Sequence, residues 1–315
     1  MHPLRFRVVR MGVIAASTLA LYGQGVVIAV FNSSFYCDFK ERLVCIGSLS
    51  LGISPLNVLT AFPDEGMLPS LGLRTGLPVR FSGRSLLAVG DRLVLAVAGA
   101  EVWRPCAPPH PDFRLAKTGL EALEQALIGR LPTEGLAGWI DPFFQHVPAT
   151  NPVLNRAVVP LNRLQVWLAK ALGEPRVPTD PDLSSLKGLL GLGPGLTPSG
   201  DDLLGGIMLA LKALNKRALL KTFSRAVLHA MDEQVNPISA AHLRASMDGT
   251  GCAAVHGVIN RILSGKREKW PERLNEIDGL GHTSGWDMLT GIVIVFRLWL
   301  EHGANRFPRI SSDRL

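Results

Sequence analysis

The sequence predicts an α+β protein: a small β-rich N-terminal domain followed by a larger, mostly α-helical domain with two pseudo-equivalent helix starts. Three observations predict it. Apolar residues recur at strand spacing up to about Trp103 and at helical spacing beyond it. A proline-dense stretch, RPCAPPHPDF at 104–113, separates the two regimes. In the second half, SGDDLLGGI from Ser199 and SGWDMLTGI from Ser284 share six of nine positions in order.

Residues 1–103 read as the β-rich domain with a leading helix. Arg5, Arg7 and Arg10 precede a segment without charge from Met11 to Cys37, a pattern shared by export signals and membrane helices. Gly23-Gln24-Gly25 splits that segment. Its first piece, MGVIAASTLALY, has 12 residues, too few to cross a bilayer. Its second, VVIAVF, is β-branched and reads as a strand. A helix–turn–strand in a soluble core is therefore expected ahead of a membrane or export segment. Further strands are expected at FYCDF, RLVCIGSL, LPVRFSG and SLLAVGDRLVLAVAGAEVW, with Gly90-Asp91 turning a hairpin.

Residues 104–113 then form a rigid linker. Residues 114–315 form the helical domain, through GLEALEQALIGRL, NRLQVWLAKAL, LLGGIMLALKAL, ALLKTFSRAVLHAM, AAVHGVINRIL and MLTGIVIVFRLWL. The last residues, FPRISSDRL, read as a frayed end.

Composition narrows the function classes. With 47% apolar and 19% charged residues the chain can bury a sizeable core. The net charge of +7 does not point to nucleic acid, because Lys and Arg are scattered and aromatics are only 6%; it suits a protein that handles small anions. Cys37, Cys45, Cys106 and Cys252 form no CxxC pair, and no two histidines have the spacing of a zinc-protease helix. Neither a metal nor a cofactor is expected, and the thiols fit the reducing cytoplasm.

The candidate site centres on Gly191–Asp202, GLGPGLTPSGDD, which runs straight into the apolar LLGGIMLAL. One reading is structural. Ser199 with Asp202, and Ser284 with Asp287, resemble capping boxes, while Gly206 and Gly291 let two helices touch. The other reading is a ligand site. Clustered glycines permit tight turns or close ligand approach, and N–H groups at a helix start attract anions.

On the ligand reading the candidate substrate-binding residues are Gly193, Gly195, Thr197, Ser199 and Gly200, with Ser284 and Gly285 from the echo. The candidate catalytic residues are Asp201, Asp202, His282 and Asp287: Asp201 and Asp202 are placed to bind a cation or hold an amide or ammonium group, His282 to act as acid or base, and Asp287 to help from the second half. Adjacent helix residues point about 100° apart, so only one of Asp201 and Asp202 aims straight at a given ligand. Arg244, in a third helix start at Asn236-Pro237-Ile238-Ser239, can clamp a carboxylate. The loop is not a Walker A, since Asp201-Asp202 replaces the Lys-Ser/Thr ending, nor a dinucleotide fingerprint, since no strand precedes it. Ser199 is not in a nucleophile elbow.

GLGPGLTPSGDDLLGGIMLAL (Gly191–Leu211) resembles the hallmark of the AllH family. ISAAHLRAS (Ile238–Ser246) and GHTSGWDMLTGI (Gly281–Ile292) follow in the family's order, behind a β-rich start. The resemblance implies a bacterial cytoplasmic protein linked to purine (allantoin) degradation. It implies similarity to one subunit of a three-part oxamate carbamoyltransferase, which interconverts oxalurate plus phosphate with oxamate plus carbamoyl phosphate. Other subunits and a small anionic substrate (carbamoyl phosphate, oxamate or oxalurate) are the partners it implies. The family supplies no agreed catalytic residues beyond the motif. The expected function is such a subunit, binding a small anion at the Gly-rich helix start. A non-catalytic scaffolding or regulatory anion-binding protein is the other expectation.

Overall fold

The structure is a computed structural model that describes residues 3–62, 67–83, 85–141, 150–174, 180–231 and 235–306. The tail expected to fray, 307–315, lies outside the described residues. The fold is α+β, and the chain divides into two compact units: Met1–Cys106 with Thr250–Ala254, and Ala107–Gly249 with Val255–Leu315.

The first unit contains β1 (Leu4–Gly12), α1 (Val13–Tyr22), β2 (Gln24–Val30), β3 (Ser34–Asp38), β4 (Leu43–Ser48) and β5 (Asn57–Thr60). A short helical turn, α2 (Met67–Ser70), leads to β6 (Pro78–Ser82), β7 (Leu86–Val89), β8 (Leu93–Ala96) and β9 (Glu101–Trp103). The sheet order is β5-β4-β3-β2-β6-β7-β8-β1-β9, and β1 also pairs with β5. That extra pairing closes the first eight strands of the order into a barrel.

β1 is the closing strand. Leu4–Arg7 run parallel to Leu93–Ala96 of β8, Arg10–Gly12 run parallel to β9, and Val8 and Met11 face Thr60 and Val58 of antiparallel β5. Val8, Val27, Phe35, Ile46, Val58, Val79, Leu87 and Leu95 pack in one buried core.

The sequence reading missed β1 because its arginines resemble the basic flank of a leader. They are the outward half of a strand alternation: Arg5 and Arg7 are exposed while Val8 is buried. The expected helix therefore starts at Val13, after a strand. Gly12 marks the junction, where a Cβ would sit 2.1 Å from the Ser54 carbonyl oxygen. The left-handed Gly23 ends α1 and β2 follows at once, so the helix–turn–strand is present. Among the described residues no helix is long and apolar enough to cross a membrane. The hairpin at Gly90-Asp91 is present, with Val89 opposite Leu93.

The second unit contains α3 (Phe113–Leu127), α4 (Pro152–Gly173), α5 (Leu183–Leu189), α6 (Ser199–Ala213) and α7 (Arg217–Ala230). It continues with α8 (Pro237–Met247), α9 (Ala253–Leu263), α10 (Trp270–Asp278) and α11 (Ser284–Arg306). No strand follows Trp103 among the described residues. Most of these helices bury one stripe, but in α6 every residue from Ser199 to Leu211 is buried. A helix buried all round is the centre of its domain, and α7, α8 and α11 pack on it. The Gly-rich loop therefore delivers the chain into the middle of the helical unit.

Candidate functional site

The two echoed segments become the first turns of α6 and α11, and those helices cross at their shared glycines. A Cβ on Gly206 would lie 2.0 Å from the carbonyl oxygen of Met288 on α11. A Cβ on Gly291 would lie 2.2 Å from the carbonyl oxygen of Leu203 on α6. Each glycine stands eighth in its nine-residue segment and meets the fifth residue of the other. The expectation that these glycines bring two helices into contact holds.

The second-position glycines do related work. A Cβ on Gly200 would meet the Leu189 carbonyl oxygen at 1.9 Å, at the end of α5, and one on Gly285 would meet that of Ile277, near the end of α10, at 2.1 Å. The loop glycines have a separate cause. Gly193 and Gly195 have φ of 116° and 93°, backbone that only glycine adopts without strain.

The capping boxes do not form. α6 is entered through Pro198, with no side chain capping it. Gly200 N donates to Leu192 O, Asp201 and Asp202 N donate to Pro198 O, Gly285 N to Leu280 O and Asp287 N to Thr283 O. The side chains that would have capped their own helices reach across to the other one. The hydroxyls of Thr197 and Ser284 share a hydrogen bond of 2.9 Å, and those of Ser199 and Thr283 approach to 3.5 Å. Asp202 is stabilised by the hydroxyls of Ser284 and Thr197, and Asp287 by those of Ser199 and Thr283. Asp287 also accepts the Leu136 N–H at 2.6 Å, with Gly135 packed directly on its carboxyl.

Burial governs the electrostatics of these acids. Asp202 is 6% exposed and Asp287 is 0% exposed. Burial pushes the Asp202 carboxyl well above its ordinary value, and the neighbouring Asp287 and Asp201 add to the rise against the Ser284 and Thr197 hydroxyls. Burial also raises Asp287, opposed by the Leu136 amide and the Ser199 and Thr283 hydroxyls. Asp201 is raised by burial too, opposed by Ser239 and Gly191.

Asp201 has a different task from its neighbour. It accepts from the Gly191 N–H at 2.8 Å and from the Ser239 hydroxyl on α8 at 2.5 Å. Asn236 completes this join by capping α8 at Ile238 and Ser239 while donating to Leu196 O. Asp201 therefore ties the loop to α6 and α8. Ser239→Ala is expected to cost about 1–3 kcal/mol, because it strips a buried carboxyl of a partner; a urea melt measures it, and a change below about 0.5 kcal/mol would refute this tie.

The rim is exposed. Pro194, Gly195 and Leu196 face solvent, and His282 Nε2 lies 2.6 Å from Glu134 Oε2, both side chains open to water. Arg244 is exposed on α8, about 140° around that helix from Ser239 and about 160° from Ser246, and it does not join the cluster. Among the described residues no group of three or more His, Cys, Asp or Glu is arranged to hold a metal ion.

Four participants escaped the sequence reading. Thr283 adjoins Ser284 and was open to notice. Ser239 stood in a helix start whose role had no local signal. Glu134 and the Leu136 amide lie some 150 residues from their partners, and nothing in their neighbourhood marks them.

Both helix starts lie inside a region that matches a family model, and Glu134 to Leu136 lie outside it. Residues 189–296 match the family described as oxamate carbamoyltransferase subunit AllH. The AllH match covers about a third of the chain, from the last residue of α5 into α11. It contains both helix starts, their reciprocal glycines and α8, and it leaves the barrel unmatched. No curated protein and no solved structure matches the chain.

Proposed function

We propose that this chain is a subunit of an oxamate carbamoyltransferase-like complex of the cytoplasm and that it holds a small anion where α6 and α11 begin. The observation that carries the reading is the AllH match over both helix starts. In the reaction, a phosphate oxygen attacks the ureido carbon of oxalurate, the bond to the oxamate nitrogen breaks, and the phosphate proton ends on that nitrogen. Such chemistry needs placement and stabilised oxyanion charge more than a covalent nucleophile.

The loop at Gly193–Thr197 and the Ser199 and Ser284 hydroxyls form the anion's contacts, with Gly200 and Gly285, whose N–H groups are held by Leu192 and Leu280, shaping the floor beneath. Asp202 and Asp287 position those hydroxyls, Asp201 holds the loop, and His282 beside Glu134 supplies acid–base capacity at the rim. Arg244 stands outside this reading.

The test uses the complex isolated through a tag on this chain, assayed for phosphate-dependent cleavage of oxalurate. Turnover is expected, falling at least about 100-fold in a Thr197→Val/Ser284→Ala complex that still assembles. Absence of turnover, or turnover indifferent to the double variant, sinks the proposal.

A second reading, a non-catalytic scaffold or regulatory subunit, is favoured by the helix-start amides already bound to Leu192, Pro198, Leu280 and Thr283. It predicts that the double variant alters assembly or its regulation, with kcat unchanged in whatever complex forms.

A further inference from the structure

The Oδ2 atoms of Asp202 and Asp287 are buried, and neither has a hydrogen-bond partner. No ion pair among the described residues includes either aspartate. Apart from the Leu136 N–H on Asp287, the groups that meet these carboxyls are hydroxyls. Thr197 and Ser284 hydroxyls meet one carboxyl, Ser199 and Thr283 meet the other, and each hydroxyl pair joins one helix start to the other. An uncompensated buried carboxylate is costly, and this protein buries two, each beside its own pair of hydroxyls and close enough for Asp287 to act on Asp202.

Charge arithmetic narrows what completes the site. Two carboxylates carry two negative charges. Two helix N-termini supply roughly half a positive charge each. For this pair taken alone about one negative charge is left, matched by one monovalent cation; Asp201 is held separately by the Gly191 N–H and the Ser239 hydroxyl. The ligands present are hard oxygens, which suit alkali ions and ammonium and not the softer metals that seek sulfur or imidazole.

We propose that Asp202 and Asp287, with the hydroxyls of Thr197, Ser199, Thr283 and Ser284, bind one monovalent cation, an alkali metal ion or ammonium. The ion neutralises the floor beneath the helix starts. It also removes a conflict, since two bare carboxylates repel any anion held above them. The site stands on these residues alone and does not depend on carbamoyl transfer.

The test is thermal unfolding of the full chain at about pH 8, where the pair ionises more readily than at lower pH. The protein is first exchanged into tetramethylammonium chloride, whose cation is too bulky to enter. It is then titrated at constant ionic strength with potassium, sodium, ammonium or magnesium chloride. A saturable rise in Tm of about 3 °C or more with at least one monovalent ion is expected. The rise should vanish in Asp287→Asn and shrink in Thr197→Val. A response to ammonium alone identifies an N–H donor as the occupant, and a response to potassium or sodium identifies a metal ion.

Wild-type protein indifferent to all four salts overturns the proposal and leaves protons to neutralise the pair. A response to magnesium alone, or an equal response in Asp287→Asn, overturns it as well. If Asp287→Asn does not fold, the wild-type titration and Thr197→Val still decide.

Discussion

Gly206→Ala is expected to destabilise the protein by about 3 kcal/mol, seen as a lower urea midpoint with little change in slope. The added methyl would lie 2.0 Å from the Met288 carbonyl oxygen, and its obstacle is backbone, which cannot rotate aside as a side chain can. Relief requires α6 and α11 to separate where both are buried. Gly291→Ala meets Leu203 O at 2.2 Å and should cost a similar amount. Because both changes break the same crossing, the double variant should lose clearly less than the sum. Gly279→Ala is the control: φ is −72° and its nearest obstacles lie at 3.6 Å, so its effect should stay within about 0.5 kcal/mol. If Gly206→Ala proves as mild as the control, the crossing described above is wrong.

Asp287→Asn is expected to act in the opposite direction when no small cation is present. The folded-state carboxyl of Asp287 is raised by burial above its ordinary 3.8. Below about pH 4 folded and unfolded chains both carry the proton, and the group contributes no pH dependence. As pH climbs past that value the unfolded chain loses the proton first, so the folded state loses stability until its own carboxyl ionises. An asparagine keeps an oxygen for the Leu136 N–H and has no charge to bury. In tetramethylammonium buffer the variant should match wild type near pH 4 and exceed it by about 1–3 kcal/mol near pH 8. Asp201 and Asp202 titrate in both proteins, and because the Asp287 charge also raises Asp202, the difference between the two curves reports position 287 together with its coupling to Asp202. A gap that stays constant from pH 4 to 8 would contradict the assignment. In the complex the same variant should lose activity while gaining stability, the trade expected where a site carries strained electrostatics for function.

Legibility in the sequence followed the range of the interactions. The hairpin at Gly90-Asp91 and the helix from Leu203 onward declare themselves through local spacing. β1 did not, because its partners β5, β8 and β9 lie far along the chain and its outward arginines imitate a leader. α5 and α10, short and closed by Gly200 and Gly285, were invisible for want of length. At the site, the repeated S-G-x-D-x-L-x-G-I pattern revealed that two helix starts matter. It suggested that each serine and aspartate serve their own helix. The serines reach the opposite one and each aspartate takes hydroxyls from both starts, because the glycines draw the backbones so near that the neighbouring helix offers a partner within reach. Single-sequence spacing carries no information on that exchange.

The way the barrel shuts has a consequence for how the protein is made. Val8 pairs with Thr60, Leu4 with Leu93 and Arg10 with Glu101, so β1 leaves the ribosome about fifty residues before its partner β5 and roughly ninety before β8 and β9. Until β8 and β9 follow, one edge of β1 has no permanent neighbour, and long-range closure of this kind is slow, in the millisecond-to-second class. The alternating arginines of β1 give the waiting segment charge on one side, the feature by which unpaired strands resist joining other chains. The same residues that imitate a leader thus guard the nascent chain against aggregation.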